Sequence, residues 1–162
     1  MTSVSTKVEQ FKEIYLDGTW VVGTNLKEVL LTTTWQEAVA TIGDHNTIAS
    51  LAYHLNYYLE GVHQVLKGGD LTIRDKYSFD LKPIDNEADW DNLRDRVITN
   101  AEAFCKTLAG LPIEILGQVF VKEQYGDYER NLSVIVEHGY YHLGQIVLLK
   151  KLIRQKTSLR SQ

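Results

Sequence analysis

The fold follows from one stretch of the chain, which reads Asn46-Thr-Ile-Ala-Ser-Leu-Ala-Tyr-His54-Leu-Asn-Tyr-Tyr-Leu-Glu-Gly-Val-His63-Gln-Val-Leu-Lys67. Its apolar residues recur every three or four positions, which is the spacing of one face of an α-helix. These residues are Ile48, Leu51, Leu55, Leu59, Val62 and Leu66. Asn46 is a favoured N-cap residue, and Gly68-Gly69 ends the pattern. We therefore predict a helix from about Asn46 to Lys67.

Three further segments show the same spacing. The first contains Val8, Phe11, Ile14 and Tyr15 and ends at Asp17-Gly18; the next runs from Asp89 or Trp90 to Gly110; the last runs from about Tyr128 to Arg154. Few segments have the alternating pattern of a strand. Four long helices predict an all-α protein, an antiparallel four-helix bundle with long irregular connections.

Shorter features lie between these helices. Thr34 and Glu37 have the spacing of a capping box and predict one short helical turn. The passages 70–86 and 113–127 have no clear period, and 119–121 could form a short extended piece. Connections of this length in a compact domain often form an edge of a functional site.

Size and charge exclude several classes of protein. The 162 residues fit a single domain spanning 1–162. A net charge of −4, with charges interspersed, argues against binding to nucleic acid or to an anionic membrane. No apolar run is long enough for a transmembrane helix, and the charged N-terminus is not typical of a secretion signal. A single cysteine, Cys105, cannot form an internal disulfide, so we expect a cytoplasmic location.

Two histidines stand four residues apart in His138-Gly-Tyr-Tyr-His142. On a helix they share one face, with Cβ atoms about 5–6 Å apart, so both rings can reach one metal ion. A helical wheel places them on a largely apolar face that we expect to point inward, together with Asn131, Val134, Ile135, Tyr141, Gln145 and Leu149. His54 falls at the edge of its helix's apolar stripe. His63 falls opposite His54, so we expect it on the outer face and exclude it from the site, and periodicity does not place His45.

The three residues His54, His138 and His142 are therefore candidate ligands for a divalent metal. Neutral imidazole binds zinc, nickel and iron, and three protein ligands leave coordination positions open for chemistry. Ligand histidines usually donate their second ring N–H to a neighbour, for which the candidates are Glu60, Asn131 and Gln145. Tyr58 and Tyr141 are candidates to line the pocket. The alternative is that the pair consists of ordinary interior histidines with hydrogen-bond partners.

These segments resemble the DinB-like superfamily of bacterial four-helix bundles, which includes the YfiT-like metalloenzymes. The resemblance is carried by residues 45–54 and 138–146, with Trp20 and Gly68-Gly69 in support, and spans roughly residues 5–155. It implies that His54, His138 and His142 hold nickel or zinc, and that the protein forms a homodimer. Some relatives are transferases or isomerases that use small thiols.

The reaction is left open by these patterns. A metal-dependent hydrolase or a thiol-dependent transferase acting on an unknown small molecule fits best. The alternatives are a non-catalytic ligand-binding or stress-response protein, or a structural homodimer with a vestigial metal site. No basic cluster near the histidine motifs is suited to an anionic thiol; the nearest cations are Arg74, Lys76, Lys122 and Arg130.

Overall fold

The computed structural model describes residues 3–160, and over that range the protein is all-α. Its α-helices are α1 (Val4–Tyr15), α2 (Leu26–Leu31), α3 (Trp35–Val39), α4 (Ile48–Leu66), α5 (Glu87–Ala109) and α6 (Tyr128–Arg160). Single-turn 3₁₀ helices lie at Asp75–Tyr77, Ile113–Ile115 and Glu123–Tyr125. The predicted extended piece at 119–121 amounts to one isolated antiparallel bridge, between Val119 and Asp127.

Side-chain caps set the helix starts. Helix α4 is capped by Thr47, whose hydroxyl accepts from the Ser50 N–H at 3.1 Å, so the prediction of Asn46 as the cap was wrong by one residue. The capping box at Thr34 is confirmed: its hydroxyl accepts from the Glu37 N–H, and the Glu37 carboxylate accepts from the Thr34 N–H. Each cap satisfies a backbone N–H that has no partner inside the helix.

The four long helices surround the core. Helix α1 packs against α5 and α6, and α4 packs against the same two helices. The largest buried side chains include Trp90, Phe104, Phe11 and Tyr15; the Phe11 ring lies 4.5 Å from the Tyr15 ring and 4.7 Å from the Phe104 ring. None of the described helices is long and apolar enough to cross a membrane.

Helix α6 departs from its prediction in length and in rotation. It continues past Arg154 because no glycine or proline follows to stop it. Its buried face is centred on Gly139, Leu143 and Ile146, about a quarter-turn from the predicted face. Val134 and Tyr141 are therefore exposed, and the two histidines lie at the edge of the buried face rather than at its centre.

Gly139 explains this rotation. A Cβ at this position would lie 2.7 Å from Tyr15 Cε2 and 2.8 Å from Ile14 Cγ2, so only glycine lets α1 approach α6 this closely. A Cβ at Gly144, further along the same helix, would meet nothing within 4 Å. The close α1–α6 contact fixes how α6 presents His138 and His142 to α4.

Candidate metal centre

Helices α4 and α6 bring the three predicted histidines together. His54 Nε2 lies 3.1 Å from His138 Nε2, and His142 Nε2 lies 2.9 Å from the same atom. The three ligand atoms lie within 4.8 Å of one another. His138 and His142 meet because they are one helical turn apart, and His54 reaches them because α4 packs against α6.

Hydrogen bonds at the far sides of two rings fix their tautomers. His54 Nδ1 donates to the Ser78 carbonyl at 3.3 Å, and His142 Nδ1 donates to Gln145 Oε1 at 2.6 Å. A neutral imidazole carries a single N–H, so the Nε2 atoms of both rings present lone pairs. Both lone pairs face His138 Nε2.

His138 cannot satisfy both neighbours by hydrogen bonding alone. Its Nε2 carries at most one hydrogen, which can be donated to only one of the two lone pairs. The other lone pair then faces His138 Nε2 with no hydrogen to accept. Two nitrogens bound to one ion at about 2.0–2.1 Å are about 2.9–3.4 Å apart at ordinary coordination angles, and the two Nε2 separations of 3.1 and 2.9 Å lie in that range. The donor set fits a divalent cation at the point where the three rings converge.

Burial keeps the three rings neutral. Loss of solvation, with the nearby His142 and His54, lowers the pKa of His138 from 6.5 to about 4. Burial also lowers the pKa of His54 and of His142. Uncharged imidazole is the form that binds metal, so protons compete weakly for this site at neutral pH.

The connection between α4 and α5 forms one wall of the centre. Ser78 supplies the carbonyl to His54, and the Phe79 ring stacks on the His54 ring at 4.1 Å. The Tyr58 ring meets the His54 and His138 rings edge-on, and its hydroxyl donates to Asp75 Oδ1 at 3.0 Å. The 70–86 passage therefore borders the site, as its length suggested.

A cleft of about 410 Å³ opens beside His54 and His138. Its walls are largely apolar, with a few polar groups between them. The other lining residues are Tyr58, Val62, Leu71, Ile73, Asp75, Phe120, Tyr125, Asn131, Val134 and Ile135. A volume of this size is at the lower end of the range for small-molecule sites.

The other residues predicted to lie beside the ligands differ in how close they come to the histidines. Gln145 contacts a candidate ligand directly, and the exposed Tyr141 places its ring 4.9 Å from the His142 ring. Asn131 lines the cleft, but its amide donates to the carbonyls of Tyr125 and Asp127 rather than to a histidine. Glu60 lies on the α5 side of α4, where it binds Arg96 and Asn100.

The other two histidines stay outside the cluster. His63 is partly buried against α5, with Nε2 2.8 Å from the Thr107 hydroxyl, so its predicted place on the outer face was wrong. Helix α4 packs against both α5 and α6, so more of its surface is buried than a single apolar stripe predicts. His45 is exposed and lines a separate pocket beside Gln145.

Sequence reasoning missed Ser78, Phe79 and Asp75. Ser78 acts through its backbone carbonyl, which every residue type possesses, so its identity carried no signal. The positions of Phe79 and Asp75 depend on the path of an aperiodic connection.

Comparisons with known proteins add no relative: a scan against protein-family models and searches of curated proteins and solved structures all gave no match.

Proposed function

We propose that the protein is a divalent-metal-dependent hydrolase acting on a small molecule, with zinc or nickel held by His54, His138 and His142. The observation that carries the proposal is the convergence of three Nε2 atoms, two of which are fixed as lone-pair donors. Imidazole ligands suit both metals, and three protein ligands leave positions open for a substrate.

Each neighbouring residue has a defined part in this proposal. A bound ion would supply Lewis acidity. The Ser78 carbonyl and Gln145 orient two of the ligand rings, as is usual around metal-binding histidines. Phe79 packs against the His54 ring and Tyr58 against the His138 ring. The cleft beside His138 would hold the substrate next to the metal.

Hydrolysis is favoured over thiol transfer by the charge of the cleft. Small cellular thiols that carry carboxylates need cationic or N–H donor groups to hold them. No lysine or arginine is among the described residues that line the cleft. Arg130, which the sequence left as a candidate, pairs with Glu137.

The resemblance to DinB-like proteins carries further parts of the proposal. We infer that α1, α4, α5 and α6 form an antiparallel four-helix bundle, a view supported by each of them packing against two of the others. The homodimer and the cytoplasmic location stay predictions. Sedimentation of the purified protein would test the dimer.

Metal analysis tests the ligand assignment. Protein made without a metal-affinity tag should hold about one zinc or nickel per chain by elemental analysis, since the three histidines form one site. His138→Ala/His142→Ala should lose it. His63→Ala is the matched control, because His63 is also a partly buried histidine but lies outside the cluster, and this variant should keep the metal.

Activity tests the reaction class. Zinc- and nickel-loaded protein should hydrolyse at least one member of a panel of small esters, amides and lactones, and the double histidine variant should be inactive on it. Thiol transfer by the loaded protein without any hydrolysis would show that the class is wrong while leaving the metal site intact. Full metal occupancy in the double variant would show that His138 and His142 are not the ligands.

A further inference from the structure

The cleft beside the histidines is built to accept hydrogen bonds, and this restricts what can occupy it. We propose that it binds a small, largely apolar molecule that carries a primary amine, with the amine held by Asp75. This inference rests on the proposed function, because the same cleft would bring that molecule to the metal.

The polar groups of the cleft have few hydrogens left to donate. Both amide hydrogens of Asn131 are used by the Tyr125 and Asp127 carbonyls, at 2.8 Å each, so its Oδ1 remains as an acceptor. The Tyr58 hydroxyl donates its hydrogen to Asp75 Oδ1. Tyr125 contributes the one hydroxyl hydrogen without a described partner. A ligand that matches this set must itself donate.

Charge points the same way. Asp75 is the only carboxylate among the described residues that line the cleft, and no lysine or arginine is among them. Its carboxylate forms no ion pair within residues 3–160. The neighbouring Lys76 has its Nζ over the Tyr77 ring, 4.7 Å from the ring centroid. An ammonium group can occupy the carboxylate's free positions, whereas a carboxylate ligand would meet like charge and no fixed donor.

The rest of the cleft favours an apolar body. Val62, Leu71, Ile73, Phe120 and Ile135 form its walls. The volume of about 410 Å³ suits a molecule with one ring and a short chain. The amine would lie at the Asp75 end, beyond the Tyr58 ring, and the remainder of the molecule would extend towards His138.

Three probes that share a phenethyl group test the inference: phenethylamine, phenethyl alcohol and 3-phenylpropionate. Binding to metal-free protein is measured by calorimetry and NMR titration, so that no probe can bind through a metal. We expect the amine to bind most tightly and the carboxylate most weakly. In Asp75→Asn, which keeps an acceptor for Tyr58, the amine should lose up to about fivefold in affinity, the contribution of an exposed ion pair, while the alcohol should be unchanged.

Two further variants locate the binding. Asp80→Asn changes a carboxylate in the same connection but outside this cleft, and should leave all three affinities unchanged. Val134→Phe adds bulk at the partly exposed edge of the cleft and should weaken all three probes. Equal or tighter binding of the carboxylate, no effect of Asp75→Asn or Val134→Phe, or no binding of any probe would each overturn the inference.

Metal content, measured on the same preparations, separates the two proposals. An amine preference without any metal uptake would remove the hydrolase and keep the amine site. One metal per chain together with a carboxylate preference would remove the amine site and keep the proposed hydrolase.

Discussion

Replacing Gly139 with alanine should destabilise the protein, although alanine is the better helix former. The new Cβ would lie 2.7 Å from Tyr15 Cε2 and 2.8 Å from Ile14 Cγ2, where ordinary contacts are 3.4 Å or more. Both neighbours are buried, and Tyr15 is held by stacking on Phe11 and by a 3.1 Å hydrogen bond to the Ile135 carbonyl. Neither side chain can move without losing contacts elsewhere.

The magnitude follows from two opposing terms. Overpacking of a dense core costs about 1–3 kcal/mol, and two rigid neighbours place this case at the upper end. Alanine gains up to about 1 kcal/mol over glycine inside a helix. We therefore expect the free energy of unfolding to fall by about 1–2 kcal/mol.

Gly144→Ala is the matched control on the same helix. Nothing lies within 4 Å of a Cβ at that position, so the helix-propensity gain of about 0.5–1 kcal/mol should appear alone. Urea unfolding of the two metal-free variants, followed by circular dichroism, should separate them by about 2 kcal/mol. A Gly139→Ala variant as stable as the parent would refute the close α1–α6 approach.

Further predictions address the ligands and the fold. Gln145→Leu should keep one metal per chain but bind it about 10–100-fold more weakly in a competitive titration, because the His142 ring loses its orienting acceptor; an unchanged affinity would count against that role. The His138 pKa of about 4 lies below its unfolded value of about 6.5, so its contribution to metal-free stability is complete above pH 6.5 and is lost as pH falls towards 4. Urea titrations at several pH values should show a smaller loss in His138→Ala; an identical loss would contradict this. Thr34→Ala should cost about 1 kcal/mol through the lost capping box, and no change in urea midpoint would argue against it.

The sequence predicted what depends on local chemistry. The spacing of the apolar residues from Ile48 to Leu66 predicted α4, and the capping-box spacing of Thr34 and Glu37 predicted α3. The spacing of His138 and His142 was enough to put both rings on one side of α6, because one helical turn separates them wherever that helix packs. Tertiary contact with His54 then followed from the packing of α4 on α6.

The rotation of α6 was mispredicted because its buried face contains residues that a polarity wheel scores as unfavourable. Gly139 is buried for its lack of a side chain. Lys150 is 8% exposed, and its Nζ donates to the Val29 carbonyl at 2.9 Å and to the Thr32 hydroxyl at 2.7 Å. The partners that make a buried lysine tolerable lie far away in sequence, so periodicity could not reveal them.

X-ray absorption spectroscopy of the zinc-loaded protein tests the central claim, that the Nε2 atoms of His54, His138 and His142 share one ion. The parent should show three imidazole nitrogens at about 2.0–2.1 Å. His54→Ala should show two imidazoles or no stoichiometric zinc, and His63→Ala should match the parent. A sulfur ligand, a parent shell without imidazole, or three imidazoles retained in His54→Ala would contradict the account.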